Sequence, residues 1–197
     1  MYIPRDPYLA RDPLRITRNR LLSRITAPAV EPITLDEAKL YLRIDNTDND
    51  TLINDLIVAA RMIAESWLKL SFINQTWMLA YDWGIPNSIW LPMGPVNAIE
   101  SVVIVNRDST TQTVDSSTYF LNAAQNALVL QSVTMGFQIQ ITYNTGYGPD
   151  ATTVPRPIKQ GMLAHIAALY DSRGEAGEMD LPQQTVALYT PFREVRL

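Results

Sequence analysis

The sequence predicts an α+β fold: a helical core of two N-terminal helices plus one later helix, an inserted small antiparallel β sheet or barrel, an extended N-terminal arm and a C-terminal tail. Three observations carry this. Ile53, Ile57, Ala60, Ala64 and Trp67 recur at steps of three and four, the spacing of one helix face. From Gln75 the apolar period changes to two, as half-buried strands require. Beyond the breaker cluster Asn144-Thr145-Gly146-Tyr147-Gly148-Pro149, helical spacing returns. One domain overall is expected from the length.

Residues 1–31 are an extended basic arm. Pro4, Pro7, Pro13 and Pro28 interrupt it without a sustained apolar period, so order is expected only against another surface. Within it, Leu14, Leu21, Leu22 and Ile25 roughly share a face, which predicts a short basic helix over 14–25. Six arginines against Asp6 and Asp12 give residues 1–30 a charge of +4, which leaves −8 on the rest of a chain whose net charge is −4.

Residues 32–74 are the helical pair of the core. Thr34 with Glu37 three residues on is a capping box, in which each side chain satisfies a backbone donor. It opens a helix over 35–43. The second helix covers 50–70, with Asn54, Asp55, Arg61, Glu65 and Lys69 assigned to its polar side. Residues 75–148 are the β-rich insertion. Trp77, Leu79, Tyr81 and Trp83 alternate with smaller or polar residues; 99–106 is a Val/Ile run, and 108–113 a polar turn. Two short strands are expected at 119–121 and 127–131, and Phe137, Ile139, Ile141 and Tyr143 alternate with Gln138, Gln140 and Thr142. The third core helix falls in 155–174. It starts at Pro155 or Pro157, since proline suits the first helical turn, and ends by Gly174 and Gly177. Residues 175–197 are the tail, with one or two further helical turns.

Hydrophobic residues make up 47% of the chain, enough for a core, and charged residues only 18%. That charged share is below the usual one, which hints at a surface partly covered by neighbours. The lack of cysteine excludes a disulfide framework and a thiolate metal site. No apolar run approaches the roughly 18 residues of a membrane span, and the opening alternation of Arg, Asp and Pro is not a signal peptide. A soluble protein with no membrane partner is expected.

Candidate chemistry is sparse. Asp45, Asp48 and Asp50, with Asn46 and Asn49, have the oxygens a hard cation needs, but lack an EF-hand's sixth-position glycine and closing glutamate. Capping of the second helix by Asp48 or Asn49 is the better reading. His165, the sole histidine, lies among Met162, Ile166 and Leu169. A general base needs a partner and a cleft, and a zinc site several ligands, so a packed or interface residue is expected. Gly146-Tyr147-Gly148 lacks the Lys-Ser/Thr ending of a phosphate loop and reads as a turn. Trp67, Trp77 and Trp83 sit at core-like positions without interleaved basic residues, against a base-stacking platform; Trp90 is expected to be exposed. No catalytic residue, metal or cofactor is assigned, and the chain reads as a non-enzyme that works through surfaces.

The strongest polar signal is the arginine set Arg5, Arg11, Arg15, Arg18, Arg20 and Arg24. Arginine without lysine suits bidentate or stacked contacts. Nucleic acid is one target. An acidic or hydrogen-bonding protein surface is preferred, because Asp6, Asp12 and apolar residues interrupt the run; a merely solvated arm is the third reading.

The ordered motifs are Ile33-Thr34-Leu35-Asp36-Glu37-Ala38-Lys39 through Leu42-Arg43-Ile44-Asp45, Asp50-Thr51-Leu52-Ile53-Asn54-Asp55-Leu56-Ile57, Ala59-Ala60-Arg61 and Gln75-Thr76-Trp77. Then come Leu91-Pro92, Gly94-Pro95-Val96, Ile99-Glu100-Ser101-Val102, Ile141-Thr142-Tyr143, Gly146-Tyr147-Gly148, Val154-Pro155, Ile158-Lys159-Gln160, Leu169-Tyr170-Asp171-Ser172-Arg173, Leu181-Pro182 and Pro191-Phe192-Arg193. Over residues 32–193 this series resembles the phage head–tail connector (adaptor, head-completion) family in its long form with a β-rich insertion. Two departures stand out. The arm before Ile33 is longer than the family usually carries, and Ala168 stands where relatives often place a histidine.

The resemblance implies a structural protein of the virion neck, made in the host cytoplasm. It forms a ring, usually twelve-fold, beneath the portal, and contacts tail or neck completion proteins while genomic DNA passes through the lumen without sequence-specific binding. Part of the −8 of the body is expected to line that lumen. Arg5, Arg11, Arg15, Arg18, Arg20, Arg24, Phe192 and Arg193 are the expected contacts with the portal or a neighbouring subunit, and deleting 1–28 is expected to leave a folded protein that no longer attaches to the portal. The alternatives are a nucleic-acid-binding module using the arm, or a tail-side terminator or completion protein.

Overall fold

The computed structural model describes residues 20–82, 86–131, 136–172 and 181–193. The first of them form a strand, β1 (Arg20–Thr26), where the expected basic helix over 14–25 would have its second half; residues 14–19 of that helix lie outside the described residues. The reason is alternation: Arg20, Leu22 and Arg24 fall on one side of the strand and Leu21, Ser23 and Ile25 on the other. The chain then enters α1 (Leu35–Leu42) and α2 (Asp50–Leu68). Both bonds of the capping box are present: the Glu37 N–H donates to Thr34 Oγ1 at 3.1 Å, and Glu37 Oε2 accepts from the Thr34 N–H at 2.9 Å. Asn49 takes the N-cap position of α2 without a side-chain cap bond. Instead Lys39 Nζ reaches across from α1 to Asp50 Oδ1 at 2.7 Å.

Strands follow: β2 (Gln75–Asp82), β3 (Ser88–Trp90), β4 (Val96–Val105), β5 (Thr111–Thr113), β6 (Tyr119–Asn122), β7 (Ala127–Leu130) and β8 (Gln138–Thr145). They make two antiparallel sheets rather than one, a five-stranded sheet in the order β1-β2-β8-β4-β5 and a three-stranded sheet in the order β3-β7-β6. β8 alternates strictly between half-buried and buried positions, and its inward Ile139, Ile141 and Tyr143 meet Leu79, Tyr81, Val102 and Ile104 with Ile89 and Leu128 of the smaller sheet. Two bulges in β4, between Val96 and Ala98 and between Ile99 and Ser101, bend it along β8. Phe137 lies just outside β8 and is exposed, with Arg107 5.8 Å over its ring. Trp90 is half-buried rather than exposed.

The chain returns to helix at α3 (Arg156–Asp171) and α4 (Gln183–Tyr189), the latter followed by a 3-10 turn at Thr190–Phe192. Pro157 lies in the first turn of α3. The helical core joins Ile33, Ile53, Ile57, Ala60, Ala64 and Leu68 to Ile158, Met162, Ile166 and Tyr189. Gly161 makes the α3–α4 contact close, because a Cβ there would run into the Tyr189 ring. Thr185 Oγ1 donates to the Gly161 carbonyl at 3.2 Å across the same contact. Gly146, with φ of +126°, is the turn glycine expected: a Cβ there would meet the backbone of Ile73 at 2.7 Å.

Candidate functional site

Of the expected contact residues, Arg5, Arg11, Arg15 and Arg18 lie outside the described residues. Arg20 and Arg24 sit opposite Tyr81 and Trp77 in the β1–β2 register, and their guanidinium carbons stand 5.0 Å and 6.0 Å from those ring centroids. At the other end of the chain, the turn after α4 sets Arg193 4.8 Å over the ring of Trp67, while Phe192 packs against the helical core. Each stacked arginine stabilises its ring contact by about 0.5–1 kcal/mol.

The fold brings Arg24 and Arg193, 169 positions apart in sequence, to the same helix. Met62, 49% exposed, stands on the outward side of α2 between two hollows of about 370 Å³ each. Leu22, Arg24, Trp77 and Lys69 line one, and Ile63, Ser66 and Trp67 the other. A second apolar surface lies on α1. Leu40 is 81% exposed beside Tyr41, at a hollow of about 660 Å³ that Glu37, Arg43 and Leu163 also line.

Sequence reasoning missed a buried ionic hub. Arg61 and Glu65, assigned to the solvent side of α2, are 4% and 3% exposed. Arg61 Nε donates to Glu31 Oε2 at 2.6 Å, Nη2 to Glu31 Oε1 at 3.1 Å, and Nη1 to Glu65 Oε2 at 3.0 Å. Glu65 Oε1 accepts from the Phe72 N–H at 2.8 Å and from Gln75 Nε2 at 2.6 Å. One residue pair thus ties the end of the arm, the long helix and the first residue of β2. Burial lifts the Glu65 carboxyl above its usual range, and its hydrogen bonds and Arg61 only partly offset this. Arg61 is held charged against its own burial by Glu31 and Glu65. The only advance signal was the i, i+4 pairing of opposite charges, which exposed helices show equally.

His165 is 1% exposed, and neither ring nitrogen has a hydrogen-bond partner among the described residues. Burial lowers its pKa below the ordinary histidine value. Below a pH of about 6.5 the unfolded chain therefore binds a proton that the folded chain resists, so stability falls from there toward the lower folded pKa. His165→Leu is expected to remove this loss, leaving urea midpoints less different between pH 7.5 and 5.5 than in the unaltered chain. An equal difference in both proteins would show that another group is responsible.

Among the described residues, no group of three His, Asp or Glu side chains could hold a metal ion, and no helix is long and apolar enough to cross a membrane. Asp45, Asp48 and Asp50 are accordingly not gathered into a cation site. What the described residues do offer is surface: arginines stacked on Tyr81, Trp77 and Trp67 and exposed apolar side chains on α1 and α2.

Residues 32–128 match the model of the phage gp6-like head-tail connector protein family, and the connector resemblance read from the sequence is borne out. Solved structures give the same fold. A chain in the neck of an empty gene transfer agent (GTA) particle, computed with C6 symmetry, is 20% identical, with a TM-score of 0.75 over 90% of this chain and 97% of that one. Chains from the virion of the native GTA particle and from its neck computed with C12 symmetry, also 20% identical over 90% of this chain and 97% of theirs, give TM-scores of 0.74 and 0.72. No curated protein matches the chain by sequence.

Proposed function

We propose that this chain is a head–tail connector (adaptor), a structural, non-enzymatic protein of a virion neck that joins the DNA-filled head to the tail. The observation that carries the reading is the family match over residues 32–128. The likeness to neck structures over nine-tenths of the chain supports it, and the C12 symmetry of one of them supports a ring of twelve copies beneath the portal. In that ring the acidic body contributes a lumen that repels DNA and lets it slide, since like charges at close range disfavour contact.

Electron microscopy of the full-length chain mixed with portal-bearing heads tests this. A ring beneath the portal is expected; heads without added density would overturn the connector reading, and density only at a tail tip would favour a tail-side terminator. A nucleic-acid-binding module would instead show steeply salt-dependent DNA affinity in the isolated protein.

Within this reading the arginines of the arm dock on the portal. The structure moves the cut that tests this, because deleting 1–28 would also remove β1 and the arginines that cover Tyr81 and Trp77. Deleting 1–19 is the better variant, and is expected to abolish attachment to portal-bearing heads. Unchanged attachment would sink the docking role of the arm and leave the connector reading standing.

A further inference from the structure

The outward faces of α1 and α2 have matching patterns. Asp36, Leu40 and Arg43 follow one another at steps of four and three, a single stripe at the end of which the helix closes. On α2, Asp55, Val58, Met62, Ser66 and Lys69 form a second stripe at steps of three and four. Each has an acid at its N-terminal end, apolar side chains at its centre and a base at its C-terminal end. Asp36, Arg43, Asp55 and Lys69 are exposed and form no ion pair among the described residues.

Both centres are unusually apolar for surface positions. Leu40 is 81% exposed and Tyr41 38%, while Met62 is 49% and Val58 37% exposed. Scattered exposed apolar residues need no explanation, but runs of them beside open hollows mark interaction sites. Methionine, unbranched and polarisable, adapts to an incoming side chain.

We propose that the α1 stripe of one copy of this chain docks antiparallel on the α2 stripe of a second copy, with Leu40 seated beside Met62. Charge complementarity selects this occupant. In the antiparallel sense Arg43 faces the partner's Asp55 and Asp36 faces the partner's Lys69, whereas the parallel sense sets like charges together. The α1 stripe spans about 10 Å and the α2 stripe about 21 Å at the helical rise, and the flexible stems of Arg43 and Lys69 cover the difference. Arg24, which lines one hollow with Met62, and Arg193, which covers Trp67 at the other, add positive charge to the face that receives Asp36. Because the two faces are different surfaces of the same chain, the contact is heterologous and repeats head to tail, as a closed ring requires. The proposal rests on the ring reading above and names the surface that builds the ring.

The chain contains no cysteine, which makes cross-linking clean. Leu40→Cys and Met62→Cys are introduced singly and together in the full-length chain, which is bound to portal-bearing heads and treated with a short bis-maleimide. The double variant is expected to give a ladder of linked multimers. Each single variant should stay monomeric, and a mixture of the two should stop at dimers. A double variant that is bound to heads yet runs as monomer overturns the proposal, as does a single variant that links to itself. If the unaltered chain does not bind heads at all, the connector reading is what fails. Leu40→Glu provides the second arm: with Leu40 exposed, thermal unfolding should be unchanged while head-bound chain drops at least about tenfold, the scale of an interface hot spot. Wild-type occupancy by this variant would overturn the proposal.

Discussion

Arg61→Ala is expected to cost about 3–5 kcal/mol of folding stability at pH 8, the penalty for leaving a buried charge without its partner. Glu65 would keep its bonds from the Phe72 N–H and Gln75 but lose the guanidinium, and Glu31 would lose both of its contacts. The pH dependence has a definite sign. The folded pKa of Glu65 is already raised by burial, so its carboxyl favours the fold while protonated and loses that contribution as pH rises through the folded value. Without Arg61 the folded pKa rises further. The deficit of Arg61→Ala should therefore shrink as pH is lowered from 8 to 5, where a proton replaces the missing cation. Adding Glu65→Gln should recover roughly 1–2 kcal/mol at pH 8 by removing the stranded charge. Urea denaturation of the four proteins completes the cycle. A cost below about 1 kcal/mol for Arg61→Ala at pH 8 would mean that the hub does not hold the fold together.

Tyr189→Ala should cost a similar amount, about 3–5 kcal/mol, by emptying a buried aromatic site. The ring of Tyr189 is fully buried, lies against Gly161 and stands 6.2 Å from the Trp67 ring. Its loss removes the main anchor of α4 and, with it, the turn that holds Arg193 over Trp67. Tyr189→Phe should cost under about 1 kcal/mol, because the hydroxyl has no hydrogen-bond partner among the described residues. Limited proteolysis gives an independent readout: cleavage near the end of α4 should accelerate in the alanine variant and not in the phenylalanine variant. Equal stability of the two variants would show that the ring does not anchor the tail.

The elements legible in advance were those specified by near neighbours. The Thr34–Glu37 box is closed by atoms three residues apart, the alternation of Ile139, Ile141 and Tyr143 needs only a pleat, and Pro157 sets the first turn of α3 through its own ring geometry. The same locality explains the errors. Periodicity assigns Arg61 and Glu65 to solvent because it treats every polar residue as outward. Their partners, Glu31, Phe72 and Gln75, come from the arm and from the chain beyond the helix. Residues 14–25 carry apolar side chains at spacings that suit a helix loosely, and Arg20–Thr26 became a strand because β2 offered an edge and two aromatic rings for Arg20 and Arg24 to cover. The three residues of β3 are too few to show a period, so the smaller sheet was invisible as a separate layer.

The sequence by itself determined the α+β class, the positions of the core helices and the order of motifs that resembles the connector family, because helix faces, caps and turns are encoded in short-range spacing. Tertiary structure alone decided that Arg24 and Arg193 both reach α2, that the Arg61–Glu65 ion pair lies buried in it, and that Leu40 and Met62 are left facing outward. Those features depend on which distant segment covers which face, and burial is a property of the packed whole rather than of any window along the chain.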